Sequence, residues 1–275
     1  MGATFAKFST SLAKMPRLVS YLADDPKLKR FDELRRNRRG MLGTEVYFTL
    51  HKLMSESSAV GDCVEMGAGG GAGTVALAWA LIEMQAMGNV ICVDRCFYGS
   101  RVRFGGFTEN ASYLCETLKL YGVEARVTHL PITLTCRNFK SVIDCVRTPT
   151  ISALVCDADG EVGRDICGLS DQITSNTVIM IDDFVDYPMY RAISPEYPFG
   201  GTKCVLTFRI VDWLVSSGYV VVQRQIGKTV FLSRRFSAID VPAIRRRVQA
   251  IRASVWADWK RTIQNAATTR GDSNV

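Results

Sequence analysis

Between Asp62 and Thr74 the chain reads DCVEMGAGGGAGT, with five glycines in the seven residues Gly67 to Gly73 and an acid, Glu65, two positions ahead of them. Glycine is concentrated where a backbone must adopt positive φ or approach a ligand or another backbone closely. The preceding run Cys63–Met66 is rich in strand formers, and Thr74–Met87 carries helical apolar spacing, so the glycines form the loop of a strand–loop–helix unit. In open α/β sheets such a unit supplies the close approach to a ligand at the carboxyl ends of the strands.

The rest of the chain supports that placement. Short β-rich runs alternate with helical patterns: strands at Val90–Val93, Ala125–His129, Ala153–Cys156 and Val178–Ile181, and helices at Asn110–Tyr121, Phe139–Val146, Asp165–Ile173 and Thr202–Ser217. Alternation of this kind predicts a doubly wound, mostly parallel α/β sheet. Two further strands meet at Ile226-Gly227-Lys228, a tight glycine turn, so the sheet ends in an antiparallel hairpin. Thr44–Ser55 reads as a helix ahead of the first strand, and Val241–Asn265 as a helix after the last. The organisation expected is a basic helical lead-in or lid over residues 1–43, a ligand-binding domain over 44–236, and a basic helical extension over 237–275.

Two ligands compete for the glycine loop. Gly67, Gly69 and Ala72 formally satisfy the dinucleotide pattern, with Asp94 after the second strand to hold a ribose hydroxyl. Glu65 opposes a dinucleotide, because its charge would repel a pyrophosphate. S-adenosylmethionine carries a sulfonium, an ammonium and a ribose diol but no phosphate, which suits carboxylates at Glu65 and Asp94. Candidate cofactor contacts are therefore Glu65, Gly67, Gly69, Gly71 and Asp94, with Phe97 or Tyr98 placed to stack on the adenine.

A second group of acids falls at the same sheet edge. Asp157 and Asp159 follow one strand, and Asp182 and Asp183 follow the next. Carboxylates brought together repel unless a cation or protons offset them, and an all-oxygen donor set suits Mg²⁺. The same acids in isolation are also ordinary turn caps. For proton removal from an acceptor hydroxyl the candidates are His129, at the end of the third strand, and Lys203; Lys203 could equally pair with the acids. His51 and Trp79 read as packing residues.

Several short motifs in order carry a resemblance. GDCVEMGAGGGAGT, VDRCFYG, DADGEV, IDDF and GTKCVLTF, followed by the hairpin, resemble the macrocin O-methyltransferase (TylF-like) family of class I methyltransferases, whose members read GDxVExG, D-x-F-x-G, DGD-x-Y and VDDY. The match runs from Gly61 to Arg235. Arg95-Cys96, Ala158 and Gly160-Glu161 depart from the family pattern; the departures leave the cofactor site in place and bear on the acceptor site. The resemblance implies a Rossmann-like methyltransferase using S-adenosyl-L-methionine, a divalent metal on Asp157, Asp182 and Asp183, a role for Asp157 beside the methyl donor, and a small-molecule or sugar hydroxyl as acceptor.

Composition sets the remaining bounds. With 47% hydrophobic and 22% charged residues over 275, the chain has a globular balance. Nine cysteines without paired spacing, and no secretory leader, lead to an expectation of reduced thiols in the cytoplasm. The net charge of +7 gathers in Lys27–Arg39 and Arg234–Arg261. Those basic ends admit a nucleic-acid-directed or non-catalytic module as an alternative function, although no aromatic residues interleave them to stack bases. Trp256 and Trp259 give the last helix a face that docks on the core or on a second copy. A nicotinamide oxidoreductase is disfavoured by Glu65 and by the lack of a Tyr-x-x-x-Lys pair. No apolar stretch is long enough to span a bilayer, since Glu83, Gln85 and Gly88-Asn89 interrupt the longest one.

Overall fold

The computed structural model describes residues 26–37, 40–96, 107–186, 202–235 and 240–271. Its helices are α1 (Pro26–Asn37), α2 (Thr44–Glu56), α3 (Ala72–Glu83), α4 (Phe107–Leu120), α5 (Lys140–Ile143), α6 (Val162–Gly168), α7 (Thr202–Ser216) and α8 (Val241–Gly271). Its strands are β1 (Asp62–Met66), β2 (Val90–Val93), β3 (Val127–Leu130), β4 (Ile151–Cys156), β5 (Val178–Ile181), β6 (Val220–Ile226) and β7 (Thr229–Arg234). They form one sheet in the order β3-β2-β1-β4-β5-β7-β6. The first five are parallel; β7 runs antiparallel to β5, and β6 antiparallel to β7.

Both faces of the sheet are covered, so β1, β2, β4 and β5 are buried at every position. Alternate side chains sort into two cores. Cys63, Cys92, Ala153, Val155, Met180 and Phe231 join α1 to α4 on one face. Val64, Ile91, Leu154, Ile179 and Leu232 join α5 to α8 on the other. Glu65 shares its parity with Cys63 and so faces the α2–α3 side.

The chain reverses direction across the sheet between β1 and β4, which places the topological switch point, and the crevice that α/β folds use for ligands, at the carboxyl ends of those two strands. Every acid singled out in the sequence except Glu65 lies just past a strand end. Sequence and structure differ mainly at helix boundaries. Helix α3 begins at Ala72, ahead of the expected Thr74, because Gly71 at φ 88° turns the chain directly into it, and it ends at Glu83 where Gln85 takes a positive φ. The third strand starts two residues late, since Glu124–Arg126 form a single 3₁₀ turn. The expected helix at Phe139–Val146 shortens to one turn, and that at Asp165–Ile173 moves to Val162–Gly168.

The lead-in is more than a cap. Phe31 and Leu34 of α1 are fully buried in the core, and Phe31 meets Phe48, His51 and Trp79 edge-on. Arg30 stacks 3.4 Å over the Trp79 ring and reaches Glu83 at 2.6 Å, while His51 lies 3.0 Å from the same carboxylate. Both His51 and Trp79 are thus packing residues. Because Arg30 is partly exposed, Arg30→Gln should cost only about 1 kcal/mol of stability, read as a shift in urea midpoint without a change in slope.

At the other end, Ile244, Val248, Ile251 and Val255 form the apolar stripe that seats α8 on α6 and α7. The docking is done by these aliphatics; Trp256 and Trp259 pair with each other, ring centroids 5.3 Å apart, and Trp256 is exposed. Among the described residues, no helix is long and apolar enough to cross a membrane.

Candidate cofactor and acid site

The glycine loop is fastened at three points. Gly67 N–H donates to Val93 O at 2.8 Å, Gly69 N–H to one Asp94 carboxylate oxygen at 2.9 Å, and Gly71 N–H to Ala68 O at 2.8 Å. Asp94 uses its other oxygen to accept Cys96 N–H at 2.7 Å. Asp94 thus lies beside the loop and shapes it directly. Gly67 is obligatory for two reasons: its φ is 93°, and a Cβ there would stand 2.5 Å from the backbone carbonyl oxygen of Asp157. The loop after β1 and the loop after β4 are thus in backbone contact.

Glu65 is buried at the floor of this crevice, where Thr74 Oγ1 donates to it at 2.5 Å. Burial pushes its carboxyl up to about 8; the Thr74 bond pulls the other way, and the charges of Asp157 and Asp94 add to the rise. Glu65, Gly67, Ala68, Gly70, Gly73 and Asp157 line a cavity that Gly40, Met41, Leu42 and Tyr47 close from above. The room it leaves for the centre of a water-sized sphere is about 20 Å³, enough for one water molecule. The cover is held by Leu42 N–H to the Tyr47 hydroxyl at 3.3 Å, Arg35 Nε to Leu42 O at 3.2 Å and Gly40 N–H to Arg35 O at 2.9 Å. These residues escaped the sequence reading. Nothing in the local pattern of Gly40–Leu42 marks a contact with residues some thirty positions later.

The second cluster sits past β4 and β5. One ligand oxygen from each of Asp157, Asp182 and Asp183 lies within 4.8 Å of the others, as a metal site would require. Two ammonium groups already engage them. Lys228 Nζ lies 2.8 Å from Asp182 and 2.5 Å from Asp183, and Lys203 Nζ lies 2.7 Å from Asp183 and 3.5 Å from Asp157. Thr229 Oγ1 donates to the remaining Asp182 oxygen at 2.6 Å. Burial would lower both lysines, but the carboxylates outweigh it and hold them above the ordinary lysine value. Asp183, which burial alone would raise, is drawn well down by the same two lysines. Asp157 is pushed up to about 7, first by burial and then by the charge of Asp182.

The candidates for proton removal separate. His129 is on edge strand β3, its Nε2 3.2 Å from Asp94 O and 3.5 Å from Cys96 Sγ. Three strand spacings, roughly 14 Å, divide β3 from β4, so His129 belongs to the Asp94 end of the crevice. Lys203 does join the acids, yet as a charged ammonium it has no lone pair with which to accept a proton. Asp159 turns away to Arg164, whose nitrogens lie 2.8 and 3.2 Å from its oxygens. Phe97 and Tyr98 lie outside the described residues. Of the basic residues on α8, Arg252 pairs with Glu161 and Arg261 with Asp258, while Arg209 of α7 reaches Asp258 at 2.9 Å.

No family model matches the chain, and no curated protein matches it by sequence. Solved structures do match in shape. The O-methyltransferase from Bacillus cereus in complex with SAH superposes with a TM-score of 0.53 at 14% identity, covering 84% of this chain and 97% of that one. The O-methyltransferase NovP superposes with a TM-score of 0.50 at 14% identity, covering 71% of this chain and 82% of that one. The fold is that of the class I methyltransferases. At this identity the likeness concerns the fold alone.

Proposed function

We propose that this chain is an S-adenosylmethionine-dependent methyltransferase acting on a hydroxyl oxygen of a small molecule or sugar. The observation that carries the reading is the meeting of Glu65, Asp157 and the glycine loop in one covered crevice at the switch point. A carboxyl on the floor and another on the rim, each of which a cationic group would draw into its ionised form, suit a ligand with an ammonium and a sulfonium. The order of motifs from Gly61 to Arg235 supports a place beside the macrocin O-methyltransferases within the class, and the SAH bound to the Bacillus cereus neighbour supports the choice of cofactor.

In this reading the loop and Glu65 hold the methionine end, and Asp94, through Gly69, sets the loop around the ribose. The acceptor oxygen attacks the sulfonium methyl in line: the O–C bond forms as the C–S bond breaks, and sulfur keeps the electron pair to leave as neutral S-adenosylhomocysteine. The acceptor proton passes to Asp157, which stands where the cofactor crevice and the acid cluster join. Orientation supplies most of the acceleration, because the sulfonium already makes the methyl electrophilic.

A divalent ion on Asp157, Asp182 and Asp183 would lower the pKa of a bound hydroxyl. Those three carboxylates are chemically suited to it, but their oxygens are engaged by Lys203, Lys228 and Thr229. As arranged, the residues do not fit the ion.

Calorimetry separates the cofactor readings. S-adenosylhomocysteine should bind and NAD should not; the reverse result would make the protein an oxidoreductase. Asp94→Ala should weaken S-adenosylhomocysteine about tenfold, since it removes the acceptor that holds Gly69 N–H.

A further inference from the structure

The acid cluster carries one negative charge too many for its lysines. With all three acids ionised, three carboxylates and two ammoniums leave a single negative charge, the same balance that three carboxylates reach with one divalent cation. Both oxygens of Asp183 contact an ammonium, one from Lys203 and one from Lys228. Both oxygens of Asp182 accept hydrogen bonds, from Lys228 and from Thr229. Among the described residues, only Asp157 of the three keeps an oxygen that neither the lysines nor Thr229 takes, since Lys203 approaches its Oδ1.

The lysines are delivered by structure rather than by chance reach. Lys228 sits in the β6–β7 turn, and its backbone carbonyl accepts Phe184 N–H at 2.8 Å, which pins that turn against the segment bearing Asp182 and Asp183. Lys203 leaves the first turn of α7. Asp183 itself stands at φ 59°, a conformation uncommon outside glycine, and this backbone turn accompanies the placement of its carboxylate between the two ammoniums.

We propose that Lys203 and Lys228 together take the place of the divalent cation, so that this site positions its acceptor without a metal. The inference rests on the methyltransferase reading and deepens it. Mg²⁺ needs oxygen ligands at about 2.1 Å, and an ammonium is not a ligand, so an ion could enter only by expelling a lysine from carboxylates it already pairs with. Adding the ion beside both lysines would leave a net positive charge in a largely buried cluster, a repulsive arrangement. The lysines act as positioning residues: they fix the three carboxylates and present ammonium N–H groups to the acceptor oxygen. An acceptor held this way needs one hydroxyl, whereas an acceptor chelated by a metal needs two adjacent oxygens.

The test uses the full chain, freed of metal with a chelator, titrated with Mn²⁺ while free Mn²⁺ is followed by its paramagnetic resonance signal. S-adenosylhomocysteine binding is measured in parallel by calorimetry. The wild type should leave Mn²⁺ free in solution, and its S-adenosylhomocysteine affinity should be the same with chelator and with Mn²⁺. Lys228→Met, which keeps the stem and removes the charge, should gain Mn²⁺ binding by about tenfold or more, because it uncovers an oxygen on Asp182 and one on Asp183. Lys203→Met is the second variant and should change in the same direction if Lys228→Met does not fold. Tight Mn²⁺ binding by the wild type, unchanged or weakened in the folded variants, would overturn the proposal and restore the metal site. Loss of S-adenosylhomocysteine binding under every condition would instead strike the cofactor reading, while the Mn²⁺ signal still decides the role of the lysines.

Discussion

Gly67→Ala is expected to abolish S-adenosylhomocysteine binding, weakening it by at least about 100-fold, and to destabilise the fold by roughly 2 to 4 kcal/mol. The added Cβ would stand 2.5 Å from Asp157 O, a backbone atom. That carbonyl cannot retreat cheaply, because Asp157 N–H donates to Met66 O at 2.8 Å and so ties the loop after β4 to the end of β1. The φ of 93° adds strain for any L side chain. Gly122→Ala is the control: its φ is 65° but no atom lies within 4 Å of the added Cβ, so it should cost only the conformational part, about 1 kcal/mol, and leave binding intact. Comparing the two variants by urea unfolding and calorimetry isolates the clash. Normal affinity in a folded Gly67→Ala protein would mean that the glycine loop is not where the cofactor lies.

The same contact explains what the sequence made legible and what it did not. Gly67–Gly73 announced a close approach, and the alternation from Cys63 to Ile181 announced a parallel sheet, because both signals are local: backbone freedom in one case and periodicity in the other. The antiparallel end was readable from the glycine turn at Gly227. Placing Asp157, Asp182 and Asp183 at one edge followed from their positions after strands. Their partners were not legible. Lys228 was read only as part of a turn, and its meeting with Asp182 depends on β7 inserting beside β5, a pairing across about fifty residues that no spacing reveals. The register that puts Ile181 opposite Val230 brings Lys228 and Thr229 to Asp182. Likewise Phe31 looked like part of a basic lead-in because charged neighbours, Lys29, Arg30 and Asp32, surround it in sequence; only the packing of α1 on α2 and α3 shows it as core.

The affinity for S-adenosylhomocysteine should rise with pH between about 6 and 8, by about tenfold per pH unit, and Glu65 should be the cause. In the absence of ligand, burial raises its carboxyl to about 8 from the ordinary 4.5, so below pH 8 it is mostly protonated. A folded pKa raised above the unfolded one means that the folded state holds a proton that the unfolded state has released. The stability associated with that proton is complete below pH 4.5 and is lost progressively as pH rises to about 8, a decline on the order of a few kcal/mol for this buried group. A ligand ammonium reverses the preference by favouring the carboxylate, so binding below pH 8 expels one proton. That proton is measurable as a dependence of the calorimetric heat on the ionisation enthalpy of the buffer. Glu65→Gln keeps the shape and can still accept the Thr74 hydroxyl, but it cannot ionise. It should therefore flatten the pH profile of binding, release no proton, and bind less tightly than the wild type at pH 8 while being the more stable protein there without ligand. Opposite effects on stability and affinity at one pH are not expected of a residue that only packs. A Glu65→Gln protein whose affinity still climbs from pH 6 to 8 would assign the proton to another group, with Asp157, raised to about 7 on the rim of the same cavity, as the next to replace.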